Sequence, residues 1–372
     1  MTSEKSHAPE LVIVGAFPPP VHGMALVTEA VRRLVSEHRR AVVFDVSPTE
    51  IYGPFRSLGI AVKLARHVGV WARLPWFRLR GAKVLYMPLD SSWGLVFNLV
   101  TLLVGRSLGM RFVLHHHVAL YVIAPSRAMR WVNALTGPQD LQIFNCRNLL
   151  ERFQTRYPPR ARMRHISNSA FFDIDVAAAP ARRERTTLVI GMLAGLTMEK
   201  GLGVMLDLLD AVAREGLDVR MVVAGPAHQA EARERLEAAV AAHPDRLDYR
   251  GPVLGEDKER FYRDIDVFVF PTLYRLETEP LVVIEALSHE RPVVAYARGC
   301  IGEVVGDRGG VVVTDDEDFI ARTLTVCRGY LADPAALARA QRQAGERAGE
   351  RAAEARAGSR QLLAALADAP AA

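Results

Sequence analysis

Short apolar runs alternate with longer amphipathic segments along the first part of the chain. The apolar runs predict strands at Leu11–Gly15, Ala41–Val46, Val84–Met87, Phe112–His115, Leu141–Phe144 and Arg164–Ile166. Apolar residues recur at helical spacing in Met24–Val35, Trp93–Leu103 and Ser126–Leu135. Because buried strands separated by helices are joined by crossover connections, this alternation predicts a parallel sheet with helices on both faces.

The same alternation begins again at Leu188. Strands are predicted at Leu188–Leu193, Val219–Ala224, Leu247–Tyr249, Val267–Phe270, Pro292–Tyr296 and Val311–Val313. Helices are predicted at Leu202–Arg214, Gln229–Ala242, Leu281–Ser288 and Phe319–Leu331. The predicted fold class is therefore α/β, with two tandem Rossmann-like doubly wound domains that face a cleft.

The chain has 372 residues, which is long enough for two domains. We place the N-terminal Rossmann-like domain at residues 1–172 and the C-terminal one at residues 187–333. Residues 173–186 between them are rich in Ala, Arg and acidic residues, and this composition predicts a linker. Residues 334–372 are rich in Ala, Arg and Glu and predict a helical tail, which we expect to pack back on the N-terminal domain.

The two parts of the chain carry opposite charge. Residues 1–170 hold 22 Lys and Arg against 9 Asp and Glu, a net charge of +13, whereas the remainder holds 25 against 33, a net charge of −8. This asymmetry indicates different binding partners for the two domains. The basic part contains no recognised nucleic-acid motif, so we expect no nucleic-acid partner.

Neither a signal peptide nor a membrane span is indicated. The first ten residues are polar and lack an apolar core. The longest apolar run, near Leu95–Val104, is too short to cross a bilayer. We therefore expect a cytoplasmic protein.

A candidate anion-binding site follows the buried strand that ends at Pro271. Pro280 stands where the first residue of a helix is favoured, with Thr278 or Glu279 as its cap. The start of such a helix exposes backbone N–H groups and the positive end of the helix dipole, which suits a diphosphate. Glu285 lies further along the same helix, near enough to accept hydrogen bonds from ribose hydroxyls of that ligand.

Two acids in this region have a spacing found in a known family. Glu277 and Glu285 are separated by seven residues, and Pro271-Thr272 and Pro292-Val-Val-Ala295 flank them. Further matches are Leu196-Thr-Met-Glu-Lys200-Gly201, Asp266, Gly302-Glu303 and Ile166-Ser-Asn168. In these residues the chain resembles the retaining glycosyltransferases of family 4 (glycosyl transferases group 1), which have the GT-B fold.

The resemblance implies transfer of a sugar from a nucleotide diphosphate. It makes the N-terminal domain the acceptor side and the C-terminal domain the nucleotide-sugar side. Lys200 and the helix start at Leu281 and Val282 are implied to hold the diphosphate. Glu285 is implied to hold the ribose, and Glu277 to contact the sugar as a catalytic residue. The rest of the implied donor site is Gly23, Gly195 and Thr272.

The chain departs from the family pattern at two places. The family has Gly-Arg shortly before the lysine segment, and its Arg helps to neutralise the diphosphate, whereas Ala194-Gly195 stands here. The family also has Gly-Phe-Gly after the first Glu, where this chain has Thr278-Glu279-Pro280. Pro280 lacks a backbone N–H, and Glu279 adds negative charge near the expected diphosphate. Both departures bear on donor affinity and donor identity.

The N-terminal domain has candidate residues at two strand ends. His22 and Gly23 lie in a Pro-rich loop after the first strand, which is interpreted either as a ligand-binding loop or as a rigid turn before a capped helix. His115, His116 and His117 end a later strand. By the family's pattern, His117 is expected to contact the transferred sugar, with His115 as the second choice. The alternative is a polar cluster at a strand end.

The segment from Lys63 to Lys83 is basic and contains Trp71 and Trp76. Such a composition is typical of a helix that binds an anionic membrane surface. It is equally typical of a solvated helix face with aromatic residues in the core. If the membrane interpretation holds, a lipid-linked acceptor follows from it.

We therefore predict a retaining glycosyltransferase that moves a hexose-type sugar to a glycan or lipid-linked acceptor in surface polysaccharide or glycoconjugate assembly. No metal is expected, because Lys200 and the helix dipole neutralise the diphosphate. A nicotinamide cofactor is not expected either, since no Gly-x-Gly-x-x-Gly follows a strand. The alternatives are a sugar-nucleotide epimerase of similar fold and a catalytically impaired sugar-nucleotide-binding protein.

Overall fold

The computed structural model describes residues 9–19, 23–47, 56–172 and 187–367. The chain divides into two compact units. Unit 1 comprises Met1–Phe172 together with Glu354–Ala372, and unit 2 comprises Asp173–Ala353. The predicted linker at residues 173–186 lies outside the described residues.

Unit 1 contains a sheet of six parallel strands in the order β2-β1-β3-β4-β5-β6. The strands are β1 Leu11–Gly15, β2 Ala41–Asp45, β3 Val84–Leu89, β4 Arg111–His116, β5 Leu141–Phe144 and β6 Arg162–His165. The helices are α1 Gly23–Ser36, α2 Arg56–Leu79, α3 Gly94–Ser107, α4 Leu120–Ile123, α5 Arg127–Ala134 and α6 Arg147–Arg156, and a 3-10 turn spans Asn168–Phe171.

Unit 2 contains a second sheet of six parallel strands, in the order β12-β11-β10-β7-β8-β9. Its strands are β7 Leu188–Leu193, β8 Val219–Ala224, β9 Leu247–Tyr249, β10 Val267–Phe270, β11 Val293–Tyr296 and β12 Gly310–Val313. The helices are α7 Leu202–Arg214, α8 Ala230–Ala242, α9 Glu256–Asp264, α10 Leu281–Ser288, α11 Ile301–Val305, α12 Phe319–Ala332 and α13 Pro334–Ala367.

The core of unit 1 lies between the sheet and the helices that cover it. Leu11 and Ile13 of β1 are buried against Val31 of α1. Leu362 and Leu366, in the C-terminal part of α13, are buried in the same cluster. The end of the chain thus supplies apolar side chains to unit 1, because Ala355, Leu362 and Leu366 lie on one face of α13.

In unit 2, a close backbone contact joins the segments that follow β7 and β10. Gly201 has φ +90, which glycine adopts at little cost. A Cβ added at Gly201 would lie 2.0 Å from the carbonyl oxygen of Pro271. Leu273 N also donates to Glu199 O at 2.9 Å. The two segments therefore run side by side, and any side chain at position 201 would separate them.

The boundaries of the predicted strands agree with the structure to within two residues. The pattern of apolar residues missed α4, α6, α9 and α11, which are short or, as in α6 and α9, rich in charged residues. Among the described helices, none combines the length and the apolar composition that a bilayer span requires.

Candidate active site

The order of strands in unit 2 reverses between β7 and β10. From β7 the chain proceeds to β8 and β9 on one side, whereas β10, β11 and β12 lie on the other. Ligands of doubly wound sheets bind at such a point, beyond the carboxyl ends of the strands. Gly195 and Lys200 follow β7, and Thr272 and Glu277 follow β10. The topology therefore brings these predicted residues to the same end of two neighbouring strands.

Lys200 and Glu277 are in direct contact. Lys200 Nζ lies 2.5 Å from Glu277 Oε2, and Thr272 Oγ1 lies 3.5 Å from the same oxygen. Glu277 is buried, whereas the side chain of Lys200 is 30% exposed. The ammonium group also lies 4.9 Å from the centre of the Tyr274 ring. Since an ammonium group has three N–H donors, Lys200 can bind an anion while it remains paired with Glu277.

The start of α10 differs from the sequence prediction. Pro280 is not the first helical residue, because its φ of −71 and ψ of 124 are extended, and α10 begins at Leu281. No side chain in the described ranges forms a capping hydrogen bond at this end. The sequence prediction that Thr278 or Glu279 caps this helix is therefore wrong. The N–H groups at Leu281 and Val282 begin a helix whose positive dipole end suits an anion.

Glu285 is held by two side chains of α9. Lys258 Nζ lies 2.6 Å from Glu285 Oε1, and the Tyr262 hydroxyl donates to Oε2 at 2.9 Å. Burial raises the pKa of Tyr262 well above its ordinary value, so the hydroxyl keeps its proton and remains a donor. The Glu285 carboxylate is therefore fixed in direction and has accepting capacity left for hydroxyl groups of a ligand.

A further layer of contacts lies behind Glu285. The His289 ring stacks on Tyr262 with centroids 4.8 Å apart. Its Nδ1 lies 2.8 Å from Glu285 O, and its Nε2 lies 2.6 Å from Glu259 Oε2. Because Lys258, Tyr262 and Glu259 all belong to α9, which the sequence pattern missed, this support for Glu285 was not predicted.

The two predicted glycines face open space. A Cβ added at Gly195 or at Gly23 would meet no heavy atom of the described residues within 4 Å. Neither glycine has the positive φ that restricts other residues. The protein backbone therefore does not require glycine at these positions. Gly23 begins α1, after β1, and His22 before it lies outside the described residues.

The histidines at the end of β4 form a second candidate site, in unit 1. His115 is fully buried, and its Nδ1 lies 2.8 Å from the Tyr86 hydroxyl. The rings of His115 and His117 have centroids 3.9 Å apart. His117 is partly exposed. Burial is the main cause that lowers the pKa of His115 well below its ordinary value, and the neighbouring histidines lower it further, so His115 is neutral.

His116 points to the other side of β4 and has a structural role. It contacts the Tyr121 hydroxyl at 3.1 Å and Gln142 Oε1 at 3.0 Å, and it stacks on Phe144 with centroids 4.1 Å apart. Burial lowers the pKa of His116 to about 3. In the described part of the chain, no three His, Cys, Asp or Glu side chains are grouped so that they could hold a metal ion.

The basic segment Lys63–Lys83 includes most of α2, and its tryptophans have different environments. Trp71 is partly buried, and its Nε1 donates to Thr101 Oγ1 at 2.9 Å. Trp76 is 49% exposed, and the Arg80 guanidinium lies 4.2 Å from the centre of its ring. Trp71 is therefore part of the packing of α2, and Trp76 belongs to the surface.

One face of α2 exposes large apolar side chains at helical spacing. These are Leu64, Val68, Trp76 and Leu79, of which Leu79 is 87% exposed. Arg73 and Arg80 are also exposed. By contrast, Lys63 pairs with Asp90 at 2.9 Å, and Arg78 Nε donates to Leu108 O at 3.0 Å. The sequence analysis singled out Trp76 but not Leu64, Val68 and Leu79, which form the rest of this exposed apolar face.

Comparison with known proteins gives a family for most of unit 2. Residues 184–328 match the model of the family described as glycosyl transferases group 1. No curated protein sequence matches the chain.

Solved structures share the fold of the chain over nearly its whole length. HepE from Anabaena in complex with UDP-glucose has 17% identity and a TM-score of 0.69, covering 95% of this chain and 99% of that one. A sucrose-phosphate synthase from Thermosynechococcus elongatus has 17% identity and a TM-score of 0.68, covering 96% and 100%. A glycosyltransferase from Rickettsia africae has 13% identity and a TM-score of 0.71, covering 97% and 100%. The architecture of the chain is that of GT-B glycosyltransferases.

Proposed function

We propose that this chain, a glycosyltransferase with a group 1 domain at residues 184–328, moves a hexose-type sugar from a nucleotide diphosphate to a glycan or lipid-linked acceptor. We further propose that the configuration of the anomeric carbon is retained. The contact of Lys200 with Glu277 beside the start of α10 is the observation on which the proposal mainly rests. HepE, which has the same fold, was crystallised with UDP-glucose, and this favours a nucleoside diphosphate hexose as the donor.

The diphosphate is assigned to Lys200 and to the N–H groups of Leu281 and Val282. A charge-assisted hydrogen bond from Lys200 and the positive end of the α10 dipole both favour an anion with several negative charges. Thr272 is buried beside them. Both contributions stabilise the diphosphate most as its charge grows during departure from the sugar.

The sugar and ribose are assigned to the two acids. Glu277 is buried and paired with Lys200. A sugar hydroxyl that donates to Glu277 therefore also lies next to Lys200, the cation to which the diphosphate is assigned. Glu285, held by Lys258 and Tyr262, is assigned to the ribose hydroxyls. The role proposed for His117 is contact with the transferred sugar, with His115 as a neutral ring that supports it.

No metal cofactor is part of this proposal. Lys200 and the α10 N-terminus supply the positive charge that a divalent cation would otherwise bring to the diphosphate. Full activity of the protein in the presence of a chelating agent is therefore expected. Loss of activity in the chelating agent, restored by Mg²⁺ or Mn²⁺, would remove this part of the proposal.

The acceptor and the location of the protein are proposed from α2. Its exposed apolar face, with Arg73 and Arg80 beside Trp76 and Leu79, suits the surface of an anionic membrane. A cytoplasmic protein bound reversibly to the inner face of the membrane would meet lipid-linked acceptors there. This is why we propose a role in assembly of surface polysaccharide or glycoconjugate.

The function is tested by two measurements on the purified protein. A thermal-shift series with UDP, GDP, ADP and dTDP identifies the nucleotide, since binding to the folded state raises the unfolding temperature. NMR of the protein with the matching nucleotide sugars then follows the anomeric proton. Transfer to added acceptor lipid with unchanged anomeric configuration is expected. Conversion of the nucleotide sugar without acceptor would identify an epimerase instead, and no shift with any nucleotide would contradict the proposal.

A further inference from the structure

An acid at the entrance to α10 is buried against a cation of α13. Glu279 lies two residues before Leu281, and its side chain is fully buried. Arg351 Nη2 donates to Glu279 Oε1 at 2.8 Å, and the Arg351 side chain is 9% exposed. The two residues therefore form an ion pair that is largely buried. The sequence interpretation of Glu279 as an added negative charge near the diphosphate is incomplete, because it did not include this partner.

The backbone of the same loop is held by the segment after β11. Gly299 has φ +52, and a Cβ there would lie 2.1 Å from Glu277 O and 2.6 Å from Thr278 O. Cys300 N donates to Thr278 O at 2.8 Å. This backbone contact fixes residues 277 and 278. The ion pair adds a side-chain anchor for residue 279, immediately before α10.

The charge of Glu279 matters because of its position. A carboxylate at the N-terminus of a helix is stabilised by the helix dipole and therefore competes with any other anion for that end. Without a cation, Glu279 would also repel a diphosphate bound at Leu281 and Val282. Arg351 neutralises the acid and holds it in the interior of unit 2.

From this arrangement we infer that Arg351 is a positioning residue for the nucleotide sugar. It keeps the Glu279 carboxylate neutralised and buried against α13, so that the N–H groups at the start of α10 remain available to the diphosphate. The inference rests on the proposed function, since it concerns the same diphosphate site. It assigns a role in substrate binding to a residue of the C-terminal helix, 72 residues from its partner in sequence.

Arg347 provides a matched control on the same face of α13. It lies one helical turn before Arg351, and its side chain is mostly buried, with 16% exposed. Its Nη2 donates to Glu303 O at 2.5 Å and its Nε to Val304 O at 3.1 Å, both in α11. Arg347→Met thus removes the same charge and a comparable set of hydrogen bonds, but leaves the pair of Glu279 intact.

The experiment compares Arg351→Met, Arg347→Met, Arg351→Lys and the double variant Glu279→Gln/Arg351→Met. Each is titrated calorimetrically with the one of UDP, GDP, ADP and dTDP that stabilises the wild-type protein most, and its donor KM and kcat are measured. We expect Arg351→Met to weaken nucleotide binding and raise the donor KM about tenfold or more, with a smaller change in kcat. Arg347→Met is expected to lower the unfolding temperature without changing nucleotide affinity.

The double variant and the lysine variant separate positioning from folding. Glu279→Gln/Arg351→Met removes both charges of the pair, so its nucleotide affinity is expected within about threefold of the wild type. Arg351→Lys keeps the charge and is expected to retain most of the affinity. Equal losses in Arg351→Met and Arg347→Met, or no recovery in the double variant, would overturn the inference while wild-type binding stands. Absence of nucleotide binding by the wild type would overturn the proposed function itself.

Discussion

Lys200 and Glu277 form an ion pair whose closest atoms, Nζ and Oε2, lie 2.5 Å apart. The two residues are 77 positions apart in sequence and arrive from the loops after β7 and β10. The contact of Gly201 with Pro271 O holds these loops together, so the pair is built into the backbone of unit 2. Glu277 already orders the Lys200 side chain, so little further side-chain entropy is lost when Lys200 binds a diphosphate.

Gly195 is predicted to be required by the ligand and not by the fold. In Gly195→Val the added Cβ has no described atom within 4 Å, so the free energy of unfolding should be unchanged. Nucleotide affinity should fall about tenfold or more, because the valine side chain occupies space through which the ligand approaches the protein backbone. Gly329→Val is the control, since Gly329 in α12 is also exposed and open. Equal nucleotide affinity in both variants would show that the ligand does not approach Gly195.

Glu285 is predicted to recognise the ribose hydroxyls. Glu285→Ala should weaken nucleoside diphosphate binding by about 1.5–3 kcal/mol, the usual contribution of a hydrogen bond to a charged group. The affinity for the corresponding 2′,3′-dideoxynucleotide should be the same in variant and wild type, since that ligand has no hydroxyls to lose. Calorimetry with both nucleotides measures this, and Glu256→Ala, which removes an exposed acid at the start of α9, is the control. An equal loss for both nucleotides would contradict the assignment.

The strands and most of the helices of both units could be predicted, because buried strands are short apolar runs and the longer helices are amphipathic. The site could be predicted only where short stretches of the sequence match the family pattern, as around Lys200 and from Glu277 to Glu285. Glu285 was found, but Lys258 and Tyr262 were not, since α9 is highly charged and lacks a clear apolar period. Arg351 was missed for another reason: a pair 72 residues apart leaves no local signal in a single sequence.

The exposed face of α2 is predicted to bind anionic membranes. The protein should sediment with anionic liposomes and not with neutral ones, and salt should reverse this, because the Debye length falls to about 3 Å at about 1 M. Arg73→Glu/Arg80→Glu should weaken binding by about 1 kcal/mol or more per charge. Arg78 is left unchanged because it donates to Leu108 O.

Two further variants distinguish the contributions to membrane binding. Trp76→Ser/Leu79→Ser removes exposed apolar side chains and should also weaken sedimentation with anionic liposomes. Arg214→Glu/Arg233→Glu changes exposed arginines of unit 2 and should have no effect. If none of these variants changes sedimentation, α2 does not bind the membrane, and its exposed face is a solvated helix face.

His116 is predicted to make stability depend on pH. Burial lowers its pKa from 6.5 to about 3 in the folded protein. On acidification the unfolded chain binds a proton on this side chain near pH 6.5 while the folded chain stays neutral, so the free energy of unfolding falls between these values. For this group the loss from about pH 7 to about pH 5 is about 2 kcal/mol.

Urea unfolding of His116→Gln at both pH values measures this contribution. The variant should be less stable than the wild type at neutral pH, since it loses the stacking on Phe144. It should nevertheless lose less stability on acidification, because it lacks the group that titrates. The same pH dependence in both proteins would show that His116 is not the source.

The central claim is that Lys200 binds the diphosphate of a nucleotide sugar. It is tested most directly by isothermal titration of wild type and Lys200→Ala with the nucleoside diphosphate that binds best. The account predicts a loss of about 1.5–3 kcal/mol in binding free energy, as expected for a charge-assisted hydrogen bond to phosphate. It also predicts that Lys83→Ala, which removes an exposed lysine of unit 1, binds like the wild type. Unchanged affinity in Lys200→Ala would contradict the claim.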